Sequence, residues 1–248
     1  MDLYGLVGFP LGHSFSKRFF TDKFEREQLD AQYVNFEIPD ICLLTDILNE
    51  HGSLRGLNVT IPYKERVIPF LDDICPEAKA IGAVNVIRVT HTPEGVRLKG
   101  FNSDIIGFKK SLMPLLKPQH KRALVLGTGG ASKAVVRGLM QLGIEPLYVS
   151  RTAAQGRIAY EDLDERVMQD YRVVVNCTPC GMFPHVNDCP QIPYHLITPQ
   201  HVLYDLVYNP EVTEFMKRGR LQGATVKNGL EMLHLQAVAG WEFWNSMD

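Results

Sequence analysis

Ala123-Leu124-Val125-Leu126-Gly127-Thr128-Gly129-Gly130-Ala131-Ser132-Lys133-Ala134 is the stretch that decides the fold of this chain. Four consecutive apolar residues bounded by glycine read as a short strand buried on both faces. Gly127 and Gly129 then permit a tight turn, and the sequence from Gly130 to Leu142 is compatible with helix. Strand, glycine turn and helix in that order place free N–H groups at a helix start, where a pyrophosphate is favoured. A glycine-rich turn alone would mean little, but the flanking strand and helix make a dinucleotide site the stronger reading. Ser132 stands where the third glycine of the usual pattern falls, and the small Ala131 and Ala134 can serve the same close packing.

Towards the C-terminus, strand-like runs at residues 146 to 150, 173 to 176, 202 to 206 and 224 to 227 alternate with helices or loops. That rhythm predicts a Rossmann-like, doubly wound parallel sheet. The second strand ends Tyr148-Val149-Ser150-Arg151-Thr152, where an NAD site would place a carboxylate on the ribose 2′-hydroxyl. There is no acid. Arg151 offers a guanidinium for a 2′-phosphate, with Ser150 and Thr152 as hydroxyl donors, so NADP (NADPH) is expected and NAD is the alternative. From Gly229 onward, Leu230, Leu233, Ala237, Trp241 and Trp244 recur at helical spacing and predict a closing amphipathic helix.

Towards the N-terminus the same alternation continues from residue 3 to about residue 100, which predicts a separate α/β domain. The expected division is residues 1–103 with 228–248 as one domain and 104–227 as the other, the C-terminal helix returning to the first. A length of 248 residues suits two modest domains. Composition is that of a folded, water-soluble chain, and a formal net charge of −2 without charge blocks argues against nucleic acid and membrane as partners. A small-molecule substrate is expected, with a monomer or homodimer in the cytoplasm. Cys42, Cys75, Cys177, Cys180 and Cys189 are odd in number and uneven in spacing, which is poor material for a disulfide framework.

Four segments of the first domain and its edge carry candidate chemistry. In Gly12-His13-Ser14-Phe15-Ser16, Ser16 suits a helix N-cap, and the two serines with nearby N–H groups can hold a carboxylate. In Asn58-Val59-Thr60-Ile61-Pro62-Tyr63-Lys64, Pro62 predicts a short helix with Lys64 in its first turn. A cation there is disfavoured by roughly 0.3–1 kcal/mol, which suits a group that must exchange a proton. Asp104 opens the next helix and Asn85 ends Ile81-Gly82-Ala83-Val84-Asn85; local capping and strand-edge bonding explain each without function.

The order and wording of these segments resemble the shikimate dehydrogenase family along nearly the whole chain. The resemblance rests on Ser14/Ser16, on Asn58-Val59-Thr60 with Pro62 and Lys64, on residues 81–85, on Asn102-Ser103-Asp104 and on the glycine loop. It continues through Asn176-Cys177-Thr178-Pro179, Asp205-Leu206-Val207-Tyr208-Asn209-Pro210 and Asn228-Gly229-Leu230 to Gln236. It implies reversible NADPH-dependent reduction of 3-dehydroshikimate to shikimate, a step towards chorismate and the aromatic amino acids, with Lys64 and Asp104 as the catalytic pair. It further implies that Ser14, Ser16, Thr60, Asn85, Asp104, Tyr208 and Gln236 contact substrate. Gly127, Thr128, Gly129, Gly130, Ala131, Ser150, Arg151, Thr152, Leu206 and Gly229 would contact the cofactor. Ser103 and Ser150 depart from the family's usual threonine and asparagine. The other readings are a quinate/shikimate dehydrogenase using NAD or NADP, and a non-catalytic protein that senses NADP or shikimate. Cys177-x-x-Cys180 with His185 and Cys189 approaches a zinc spacing, but no metal is expected because Cys177 closes an apolar core strand.

Overall fold

The computed structural model describes residues 1–12 and 15–246, so Ser14 lies outside the described residues. Two compact units emerge: residues 1–103 joined by the chain from Ala237 onward, and Asp104–Gln236.

The first unit is built on a six-stranded mixed sheet. Its strands are β1 (Asp2–Gly8), β2 (Ala31–Glu37), β3 (Leu54–Val59), β4 (Asp73–Ile74), β5 (Val86–Thr92) and β6 (Gly95–Phe101), in spatial order β2-β1-β3-β5-β6-β4. β1 runs parallel to β2 and β3, whereas β5 is antiparallel to β3 and β6. Alternation along β1 explains its two faces. Leu3 and Val7 face one core with Leu57, Val59 and Ile87, beneath the 3₁₀ turn Ile41–Leu43 and α2 (Leu44–Glu50). Tyr4 and Leu6 face the other, with Phe20 and Phe24 of α1 (Phe15–Arg26) and Trp244. α3 (Pro76–Ile81) connects β4 to β5.

The second unit carries β7 (Arg122–Leu126), β8 (Glu145–Ser150), β9 (Arg157–Ala159), β10 (Val173–Asn176), β11 (Val202–Asp205) and β12 (Thr225–Lys227). Every pairing is parallel, and the order β12-β11-β10-β7-β8-β9 is the doubly wound arrangement predicted from the sequence. α4 (Asp104–Leu112) and α5 (Gly130–Gln141) cover one face through Phe108, Leu112, Val135 and Leu139. α6 (Glu165–Asp170) and α7 (Glu214–Leu221) cover the other through Met168, Phe215 and Met216. α8 (Leu230–Asn245) begins in this unit, where Met232 joins the core, and its later residues Ala237 and Trp244 join the aromatic core of the first unit. The closing helix therefore returns to the N-terminal unit, as its periodicity predicts.

Two local expectations fail. The short helix expected from Pro62 is absent: residues 61–67 form turns, and a 3₁₀ helix follows at Ile68–Phe70. The cause is Tyr63, whose ring is fully buried and whose hydroxyl donates to the carbonyl of Ile38 at 2.6 Å, drawing the chain inward where a helix would carry it away. Ser16, expected at a helix cap, instead lies inside the first turn of α1.

Candidate active site

In the first unit, register puts the ends of β1, β3 and β6 and the start of β5 on one edge, since Val7 pairs Val59, Asn58 pairs Val86 and Val86 pairs Phe101. That edge gathers Thr60, Lys64, Asn85 and Asn102. Carboxyl ends of parallel strands are the usual place for ligands in open α/β sheets.

The backbone fixes Lys64 without a helix. Tyr63 N–H donates to Thr60, Val67 N–H to Tyr63, and Val84 N–H to the carbonyl of Lys64 itself at 2.7 Å, while Tyr63 and Val67 are fully buried on either side. The lysine is thus held next to Asn85 by main-chain bonds rather than presented at a helix dipole. Asn85 is 3% exposed; its amide oxygen accepts from Ser103 N–H at 2.7 Å and its amide nitrogen donates to the Ser103 hydroxyl at 3.0 Å. Asn102 ties the same corner through the carbonyl of Ala83 at 3.0 Å. Asn85 therefore orients the residue that leads directly into Asp104, a role sequence reasoning does not assign to it. Sequence reasoning also leaves Asn58 and Tyr33 off the site, yet both are buried and joined by a 2.7 Å hydrogen bond.

In the second unit, Asp104 opens α4 and is 7% exposed. One turn on, Gly107 admits the first turns of α8: a Cβ there would lie 2.5 Å from the carbonyl oxygen of Met232 and 3.0 Å from the backbone nitrogen of Gln236. This contact brings Gln236 alongside α4, so two of the expected substrate residues share one corner of the unit. Tyr208, beyond β11, is 37% exposed, and partial burial raises its phenol pKa.

The glycine loop sits at the carboxyl end of β7, where the strand order reverses towards β10. Gly127 has φ +94°, which an L side chain rarely adopts, and a Cβ there would meet the Thr178 methyl at 2.8 Å. A Cβ at Gly129 would meet nothing within 4 Å, leaving an open cradle over the N-terminus of α5. That opening fits a pyrophosphate. Ser132, where a third glycine is usual, is fully buried and donates its hydroxyl to the carbonyl of Gly129 at 2.6 Å, so it braces the turn. Ser150 likewise spends its hydroxyl on the carbonyl of Thr152 at 2.6 Å, which leaves Arg151 and Thr152 as the exposed polar groups at this strand end. Leu206 N–H donates to Asn176 and Gly229 N–H to Val207, so both residues are fixed at the ends of β11 and β12.

Behind these loops stands a buried polar cluster. Asp205 accepts from the Asn176 amide at 2.9 Å, Val207 N–H at 3.0 Å and the Thr213 hydroxyl at 2.6 Å. Asn176 in turn accepts from Thr178 N–H at 3.0 Å and its hydroxyl at 2.6 Å. Burial pushes the Asp205 carboxyl up to about 6 against the pull of these three donors. Cys177 is also held up by burial, and Cys189 packs in the core with Ile192 and Leu203. Among the described residues no three His, Cys, Asp or Glu side chains converge as a metal site would require.

A family profile described as the shikimate dehydrogenase substrate binding domain matches residues 6–87. The NADP(+) shikimate dehydrogenase of Carboxydothermus hydrogenoformans is 36% identical over 99% of this chain and 92% of its own length. The chain belongs to the shikimate dehydrogenase family. Among solved family structures, shikimate 5-dehydrogenase from Thermus thermophilus in complex with NADP(H) and shikimate superposes with a TM-score of 0.85 at 31% identity. That match covers 100% of this chain and 94% of that one. A quinate dehydrogenase from Corynebacterium glutamicum in complex with NAD superposes with the same TM-score of 0.85 at 26% identity, covering 99% of this chain and 94% of that one. For a family member, the first unit is the substrate-binding domain and the second the Rossmann-like NADP-binding domain.

Proposed function

We propose that this protein catalyses the reversible NADPH-dependent reduction of 3-dehydroshikimate to shikimate in the cytoplasm. The observation that carries the reading is 36% identity to an NADP(+) shikimate dehydrogenase over 99% of this chain, joined to retention of Lys64, Asn85, Asp104 and Gln236 at the positions the family resemblance assigns. No helix of the described residues is long and apolar enough to cross a membrane.

When bound, the dinucleotide supplies a hydride to the carbonyl carbon. The chain's own residues handle charge and position. Lys64 delivers a proton to the carbonyl oxygen as negative charge grows there, and Asp104 orients the ammonium and accepts from the neighbouring hydroxyl. Ser14 and Ser16 donate to the substrate carboxylate, while Thr60, Asn85, Tyr208 and Gln236 bind the hydroxyls. Gly127 to Ala131 would hold the pyrophosphate, Leu206 and Gly229 the nicotinamide half, and Arg151 with Thr152 a 2′-phosphate.

A second reading, a quinate/shikimate dehydrogenase using NAD, is favoured by one feature. Ser150 is turned onto its own backbone, and uncharged Ala153-Ala154-Gln155 follow, so Arg151 carries the 2′-phosphate with little help. Steady-state rates with shikimate or quinate, each paired with NADP+ or NAD+, separate the two, and shikimate with NADP+ should be fastest. Lys64→Ala should lower kcat by roughly 10²- to 10⁴-fold while KM for shikimate changes far less. An unchanged kcat removes Lys64 from proton transfer.

A further inference from the structure

Only six residues, Arg151 to Gly156, join β8 to β9, although the two strands run parallel. Parallel neighbours ordinarily need a crossover of about a dozen residues or more, usually a helix. This chain does without one by doubling back: Ala154 N–H donates to the carbonyl of Arg157 at 3.1 Å and Arg157 N–H to the carbonyl of Ala154 at 3.0 Å, around Gly156 at φ +77°. β9 therefore runs only beside the end of β8, with Arg157 paired to Tyr148, Ile158 to Val149 and Ala159 to Ser150. The turn that carries Arg151 and Thr152 thus has Arg157 fixed at its other foot.

Residues paired across parallel strands point to the same face. Ile158 and Val149 pack in the core beneath α6 and α7, and Tyr148 packs on the opposite side, against the core under α4 and α5. Arg157 accordingly stands beside Tyr148 on the side of α5, the helix whose N-terminus follows the glycine loop. With no crossover helix over them, both residues are half-buried. Nε of Arg157 is nevertheless closed to solvent and meets no acceptor among the described residues. Three other arginines of this unit show the ordinary condition, Nε donating to Glu145 at 3.0 Å from Arg122, to the Gln169 carbonyl at 3.1 Å from Arg172 and to Glu214 at 2.9 Å from Arg218. A permanent cation, partly desolvated and with that donor unspent, is stabilised by an anion that comes within its reach.

We infer that Arg157 is the second cation for the adenosine 2′-phosphate, gripping it across the turn from Arg151. The turn itself holds no further charge: Ser150 spends its hydroxyl on the Thr152 carbonyl, and Ala153-Ala154-Gln155 are neutral. Two guanidinium groups can each present paired N–H donors to phosphate oxygens, a geometry that a hydroxyl or an ammonium does not offer. The Ala154–Arg157 bonds already hold the backbone, so little loop ordering opposes binding. NAD has a hydroxyl where NADP has the phosphate and leaves the Arg157 donor unspent. The residue therefore raises affinity for NADP alone and decides between the two cofactor readings above. The inference rests on the reading that this turn takes the 2′-phosphate, and a variant of Arg151 tests that reading separately.

Binding to the full chain would be measured by calorimetry for NADP+ and NAD+, and for the fragments adenosine 2′,5′-bisphosphate and adenosine 5′-monophosphate. Arg157→Met, which keeps the apolar stem, should weaken NADP+ and the bisphosphate by roughly 10- to 100-fold, as expected when a hydrogen bond between charged groups is lost. NAD+, the monophosphate and shikimate carry no 2′-phosphate and should stay within about twofold of wild type. Arg157→Lys, which keeps the charge without the fork, should lose roughly 3- to 10-fold for the same two ligands only, and it decides the matter if Arg157→Met does not fold. Equal losses for ligands with and without the 2′-phosphate, or no loss in either variant, overturn the inference. Arg151→Met should show the same selectivity. If it does and the Arg157 variants do not, the inference alone falls; if neither position discriminates, the reading of the turn falls with it.

Discussion

The two units bury polar groups under their functional edges in opposite ways. In the N-terminal unit the chain Tyr33–Asn58–Asn85–Ser103 is neutral throughout, each link a hydroxyl, amide or backbone group. In the second unit the corresponding cluster is centred on a carboxylate, Asp205, which takes three donors and is fully buried. A neutral network resists changes of pH and is weakened only by removing a partner. A buried charge makes each bond to it stronger but is itself costly to desolvate, so its contribution depends on protonation. The difference implies that stability varies with pH through the second unit far more than through the first.

Asp205 gives the largest expected effect. Its carboxyl is raised from 3.8 to about 6, chiefly by burial, so the folded protein holds that proton more tightly than the unfolded chain does. The group's contribution to stability is therefore fully present below about pH 4 and is lost as pH rises through 6. A displacement of about two pH units corresponds to roughly 3 kcal/mol. Asp205→Asn keeps an oxygen for the Asn176 and Val207 donors and can donate to the Thr213 hydroxyl, but does not titrate. Unfolding free energies by urea at several values between pH 4 and 8 should show the variant gaining on wild type by up to that amount as pH rises. A gap that does not change with pH would mean that Asp205 is not the titrating group described.

The neutral side is tested by Asn85→Ala, which strands the buried N–H of Ser103. The loss should be roughly 1–3 kcal/mol. It should be the same at pH 5 and pH 8, since neither member of that bond titrates. A loss that varies with pH would break the contrast between the units.

The parts of this arrangement legible in the sequence are those whose cause is local. The glycine turn is readable because strand, turn and helix follow one another within a short stretch, and Gly127 and α5 lie where that pattern puts them. β4 and β9, two and three residues long, are too short to show any periodicity. The helix signal at Pro62 misleads because the buried Tyr63 ring, whose hydroxyl bonds to Ile38 in another segment, outweighs a local helix start. Tyr33 and Asp205 read as ordinary strand residues. Their partners Asn58, Thr213 and Asn176 are brought to them only by sheet register and crossover, which no single stretch of sequence records.

The smallest effect belongs to His201 and opposes that of Asp205. The imidazole is 2% exposed; Nδ1 accepts from Thr198 N–H at 3.0 Å, and Nε2 lies 2.9 Å from the Met168 carbonyl. Only the neutral tautomer with its proton on Nε2 satisfies both, because a second proton on Nδ1 would face the Thr198 donor. Burial, with Arg172 and His120 acting in the same direction, lowers the imidazole pKa below 6.5. The unfolded chain thus takes up the proton first, so the stability held by His201 is present above pH 6.5 and is lost as pH falls below it. His201→Asn should cost about 1 kcal/mol at pH 7.5 from one weakened hydrogen bond, and the gap to wild type should narrow towards pH 5. A gap that widens on acidification would show that the folded imidazole accepts the proton readily, and the acid limb of the second unit's stability would have to come from another group.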